Sequence, residues 1–166
     1  MSVGLSGKPG SPFRLGPFVV DDAGRLSPGA AERSPTFRVC WRDRVVHVHP
    51  PAPGATQGSL GVQAVLGRIP STAGPDAATA PARRAEAFAV LHSLRPVLPA
   101  GWKISLFADH RVGLELTLGL QMPATAAGLV TAMTLFLLEL APYLDVLEAA
   151  GVAAVPAVGT ANAWPG

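Results

Sequence analysis

The chain has 166 residues, 49% of them hydrophobic, enough to bury one real core but not several. Its 18 glycines and 17 prolines cluster without a period, which excludes collagen-like and solenoid architectures. The single cysteine, Cys40, excludes an internal disulfide framework and fits a cytoplasmic protein. The formal charge of +2 conceals a division: all 13 Lys and Arg lie between Lys8 and Arg111, while the remainder carries only Glu115, Glu139, Asp145 and Glu148. The two halves can therefore attract one another or steer an anionic partner. Because the basic residues are scattered among acids and form no stripe interleaved with aromatics, nucleic acid is not an expected partner.

Residues 1–12, broken by Gly, Pro and Lys8, lack the apolar stretch of a secretory signal and read as a disordered tail. A single domain is expected over residues 13–151, with a second loose tail over 152–166. Phe18, Val19 and Val20 make a short strand that turns at Gly24. Residues 36–49 read as a second hairpin, in which Phe37, Val39 and Trp41 alternate with Arg38, Cys40 and Arg42, and Val46 and Val48 repeat the pattern on the return. With Asp43-Arg44 as a two-residue loop, Trp41 faces Val46 and Val39 faces Val48, which places all five apolar residues on one face. After a Gly- and Pro-rich loop over 50–58, a third strand carries Leu60, Val62, Ala64 and Leu66.

Residues 71–80 form a connection, and Pro81 then suits the first turn of a helix on which Ala85, Phe88, Leu91 and Leu94 recur at helical spacing. Pro96 and Pro99 end that helix. A strand from Trp102 places Ile104 and Leu106 on one face, residues 108–111 turn, and Val112, Leu114, Leu116, Leu118, Leu120 and Met122 alternate. Beyond Pro123 the period changes. Thr125 offers an N-cap, and Leu129, Val130, Met133, Phe136, Leu137, Leu140 and Leu144 recur at steps of three and four. Pro142 predicts a kink or break near residues 138–141, and Gly151 a terminator. The charge-free run over 116–138 is thus half strand and half helix. Its helical part is about 14 residues, short of the roughly 20 a bilayer requires, so a membrane is not an expected partner. Lipid contact along residues 116–144 stands as an alternative.

The expected fold is α+β, an antiparallel sheet of about five strands with two helices in the order strands, helix, strand, strand, helix. That order, with the last helix entered through Leu120-Gln121-Met122-Pro123-Ala124-Thr125 and followed by Phe136 and Tyr143-Leu144, resembles the class I type III secretion chaperones over residues 36–150. These are the Tir-chaperone-like group, together with the bacterial sensory-transduction-regulator-like domains of similar fold. The resemblance implies a non-enzymatic homodimer whose apolar strand and helix surfaces hold an extended segment of a secreted effector, with no cofactor. The chain differs from that family in opening with a tail and hairpin in place of an amphipathic helix, and in a basic pI near 9.2.

Three local features bear on chemistry. The expected hairpin register sets Cys40 opposite His47, with His49 two residues on along the same face. Thiolate and imidazole suit zinc, and a small metal-dependent enzyme is the alternative function, but the neighbouring Arg38 and Arg42 disfavour a cation and no metal is expected. Asp109-His110-Arg111 offers an acid, a base and a cation, yet it sits in a turn without a nucleophile motif, so no catalysis is expected. Finally, Val65 and Phe107 fall outside the core-facing pattern, and Leu135 and Leu138 lie beside the main helical stripe. A helix that is apolar nearly all round needs cover on both sides, from a second copy or a partner segment.

Overall fold

The computed structural model describes residues 11–29, 36–50, 58–71 and 78–155. Residues 1–10 of the tail expected over 1–12, residues 156–166 of the tail expected over 152–166, and most of the loops expected over 50–58 and 71–80 lie outside the described residues. The fold is α+β, as the order of periodicities predicts. Strands β1 (Phe13–Leu15), β2 (Phe18–Val20) and β3 (Leu26–Pro28) make a small antiparallel sheet. Strands β4 (Phe37–Trp41), β5 (Arg44–His49), β6 (Ser59–Arg68), β7 (Lys103–Leu106) and β8 (Arg111–Gly119) make the main sheet in the order β4-β5-β6-β8-β7, antiparallel throughout. Helix α1 (Ala80–Leu94) runs into a single 3-10 turn over Arg95–Val97, and helix α2 (Ala126–Ala149) follows β8.

The β4–β5 hairpin turns one residue earlier than expected, at Arg42-Asp43. Both residues have positive φ, 48° and 58°, the conformation of a type I′ turn. Trp41 therefore pairs with Arg44, Val39 with Val46 and Phe37 with Val48. Moving the turn by one residue moves each partner by two, so the face assignment holds while the pairings change. The left-handed region costs a residue with a Cβ about 1–2 kcal/mol.

Helix α1 is rotated relative to its expected stripe: Ala87, Leu91 and Leu94 are buried, while Ala85 and Phe88 face outward. Strand β8 stops at Gly119, so Leu120 and Met122 lie beyond it. Thr125 caps α2, its Oγ1 accepting from the Gly128 N–H at 3.0 Å. No break occurs at Pro142, and α2 stays helical over all 24 residues. Proline removes one donor from a ladder that otherwise continues, and the inner face of the helix is held on both sides of it by Leu140 and Leu144. By length and composition alone α2 is long and apolar enough to cross a membrane.

One buried cluster joins the sheet to both helices. It contains Val46, Val48, Val62, Leu66, Leu114 and Leu116 from the strands, the inner face of α1, and Leu129, Met133, Phe136, Leu140, Leu144 and Leu147 from α2. Burial of each such leucine contributes about 2 kcal/mol. Trp102 leans on Phe136 and Tyr143, with ring centroids 5.5 and 5.8 Å away, and the Tyr143 hydroxyl donates to the Val97 carbonyl at 3.1 Å. Packing continues past Gly151, where the second tail was expected to begin: Val152 is fully buried and Ala153 exchanges backbone hydrogen bonds with Arg68. Gly67 permits this approach, since a Cβ there would lie 2.6 Å from the Ala153 carbonyl oxygen.

Candidate functional site

Strand β4 lies at the edge of the main sheet. A two-residue turn makes Trp41–Arg44 a hydrogen-bonded pair, and strict alternation then directs the backbone N–H and C=O of Arg38 and Cys40 away from β5. Along this edge runs an apolar groove of about 410 Å³. One wall is the tip of the β1–β2 hairpin, from Leu15 to Phe18; the floor and other wall are Phe37, Val39 and, from α2, Leu129, Val130, Met133 and Leu137. Phe18 meets Phe37 edge to face at 6.0 Å, which fixes the hairpin against the start of β4. The small sheet is in turn tied to the entry of α2, where the Leu26 N–H donates to the Ala124 carbonyl at 2.8 Å and the Ala126 N–H to the Gly24 carbonyl at 2.9 Å.

The far end of the hairpin is anchored by charge. Arg42 Nη2 reaches Asp145 Oδ1 and Glu148 Oε2, each at 2.7 Å, and Arg44 Nη1 reaches Glu148 Oε1 at 2.8 Å. Asp145, together with Glu148, holds the Arg42 guanidinium above its ordinary range. Arg44 is buried, and it also donates to the carbonyls of Leu66 and Arg42. Part of the charge division along the chain is therefore used internally, with arginines of the basic half meeting carboxylates of the acidic half more than 100 residues away.

Cys40, His47 and His49 do not assemble as expected. Cys40 pairs with Val45, and His47 pairs with Arg38 on one side and Gln63 on the other. The His49 ring packs against Gly61, where a Cβ would fall 2.1 Å from Cε1, and its Nδ1 is 2.7 Å from the Pro50 carbonyl oxygen. Among the described residues no cluster of three or more His, Cys, Asp or Glu side chains is placed to hold a metal ion.

Asp109 spends its carboxylate on its own turn. Burial pulls its pKa up, but the Arg111 N–H at 3.1 Å and the guanidiniums of Arg111 and Arg68 outweigh that and hold it below the ordinary carboxylate range. His110, at positive φ, lies 3.3 Å from Arg84 Nη2. The triplet is a structural turn that ties β7–β8 to α1.

Of the four apolar residues expected outside the core pattern, Val65 is buried and Phe107 half-buried, its ring 6.0 Å from the Arg111 guanidinium. Leu135 and Leu138 are 61% and 64% exposed, and Val146 extends their stripe at 44%. Comparison of the chain with known protein families, with curated proteins and with solved structures finds no match.

Proposed function

We propose that the chain is a non-enzymatic, secretion-chaperone-like protein-binding domain of the cytoplasm, which shields an extended apolar segment of a protein partner such as a secreted effector. The observation that carries this reading is the edge strand β4 running beside an apolar groove. An extended segment laid there pairs its backbone with the outward groups of Arg38 and Cys40, and alternate apolar side chains enter between the hairpin tip and α2. The hairpin and α2 form the groove before any partner arrives, which lowers the ordering cost of binding.

The outward stripe of α2 supports a homodimer. Leu135, Leu138 and Val146 follow one another at helical steps, and α2 carries Glu139, Asp145 and Glu148 but no Lys or Arg. A helix that lies on an anionic membrane usually has basic residues on its polar margin, so a second copy suits this face better than lipid.

The test of the groove is hydrogen–deuterium exchange on the full chain, alone and with the partner co-purified from host cells. Slowed exchange at the Arg38 and Cys40 amides, together with loss of the partner from a folded Val130→Asp variant, is the expected result. Val130 is an exposed groove residue, so the substitution leaves the core intact. Protection confined to α2, or a partner retained by Val130→Asp, overturns the groove as the binding site.

A further inference from the structure

The face of the main sheet turned away from the helices carries a polar row that crosses all five strands. Arg38 is paired with His47, His47 with Gln63, Gln63 with Glu115, and Glu115 with Lys103. At the β4–β5–β6 end of this row lies a cavity of about 680 Å³, lined among others by Thr36, Arg38, His47, His49 and Gln63. We propose that this cavity binds the phosphate group of a small molecule. The cavity shares Phe37 and Arg38 with the groove, but His47, His49 and Gln63 line it alone, on the face of the sheet opposite the helices.

The chemistry of the lining carries it. Among the described residues the cavity has one guanidinium, two imidazoles, an amide and a hydroxyl, and no carboxylate. Arg38 is exposed and makes no ion pair with a described residue, so its fork of donors is available to an oxyanion. His49 supplies the second observation. A carbonyl only accepts, so the contact with Pro50 places a proton on Nδ1 and leaves Nε2 as the functional end of the ring. Nε2 is buried and without a hydrogen-bond partner, which leaves a polar atom of the lining unsatisfied.

A phosphate monoester near neutral pH exists both with and without its last proton. It can donate P–OH to the neutral ring or accept from the imidazolium, while its other oxygens take the Arg38 fork and the Gln63 amide. The donors come from three strands and so point in several directions, which suits a tetrahedral anion better than a planar carboxylate. The volume is that of a small-molecule site and exceeds what phosphate alone fills, so the group is carried on a larger body. Gly61 is part of the device, since any side chain there would displace the His49 ring.

The test is a titration of the full chain with inorganic phosphate, followed through the imidazole resonances by NMR, beside acetate and chloride at matched ionic strength. The expected result is a saturable shift of the His49 and His47 signals with phosphate only. Arg38→Ala weakens the apparent affinity at least tenfold, and Lys103→Ala, at the far end of the same row, leaves it unchanged. Gly61→Ala should abolish the His49 response. Should that variant fail to fold, Arg38→Ala decides the matter, because Arg38 is exposed. Equal shifts with chloride or acetate, or equal affinity in Arg38→Ala and the parent chain, overturn the proposal.

Discussion

Helices α1 and α2 bury their inner faces in the same cluster, yet the sides they turn to water differ. The outward side of α1 carries Arg83, Glu86 and His92, and Arg84 is engaged with the Pro70 carbonyl at 3.2 Å and with the ring of Phe88 at 5.1 Å. The outward side of α2 carries Leu135, Leu138, Pro142 and Val146 in one stripe. A few scattered leucines on a surface are ordinary, whereas a stripe along a helix is a surface left for something else. The contrast locates the unfinished part of the molecule on α2 and assigns α1 to holding the β7–β8 end together.

The comparison breaks most directly at two neighbouring leucines. Leu140 is 1% exposed on the inner face and Leu138 is 64% exposed on the outer. Leu140→Ala should cost about 3 kcal/mol, as cavity-forming substitutions do, and Leu138→Ala less than about 0.5 kcal/mol, both read from urea unfolding. Equal costs would mean that the outer stripe is core. Next in size is Glu148→Ala, expected to cost about 2 kcal/mol because it leaves the buried guanidinium of Arg44 without its carboxylate. Glu139→Ala, one helical face away and without an ion pair among the described residues, should change nothing measurable by the same method.

A smaller effect separates the α1 end by pH. The pKa of Asp109 is depressed in the folded state, so its contribution is fully present above the unfolded carboxylate value and is lost as pH falls through the folded value. The carboxylate is 40% exposed, and after solvent screening the loss should be no more than about 0.5 kcal/mol. Comparing the parent chain with Asp109→Asn by thermal unfolding from pH 6 down to pH 2 checks it. The two should converge at the acid end, while any self-association through α2 stays the same in both.

Much of the fold was legible because it rests on period. The alternation from Val112 and the three-four spacing from Leu129 each admit one element type, and the structure contains both. The errors share a cause, which is tertiary override of local signals. Pro142 reads as a break, but helix packing on both sides of it carries the chain through. Asp43-Arg44 is a plausible loop by composition, and the actual turn at Arg42-Asp43 brings Arg42 to carboxylates of α2 more than 100 residues away in sequence. Strand β1, at three residues, is too short for alternation to register. The site was less visible. Val39 and Val130 look like core residues in isolation, and only the hairpin tip from Leu15 to Phe18 turns the space between them into a groove. Cys40 drew attention through its chemistry, whereas the cavity on its side of the sheet belongs to Arg38, His49 and Gln63, a set joined by register across three strands.

A small expected change in folding belongs to the substitution that says most about assembly. Leu135→Lys combined with Leu138→Lys places two cations on exposed positions beside Glu139, so the monomer should keep its stability within about 0.5 kcal/mol. If the stripe joins two copies, sedimentation equilibrium should show the parent chain dimeric at micromolar concentration and the variant at least tenfold weaker in association. The apparent melting temperature of the parent should then rise with protein concentration and that of the variant should not, because only a folded state that associates gains from mass action. A monomeric parent that pellets with lipid vesicles, and a variant that does not, would assign the stripe to a membrane instead. A variant that unfolds would return the stripe to the core. The dimer reading requires the remaining combination, in which association is lost and folding is not.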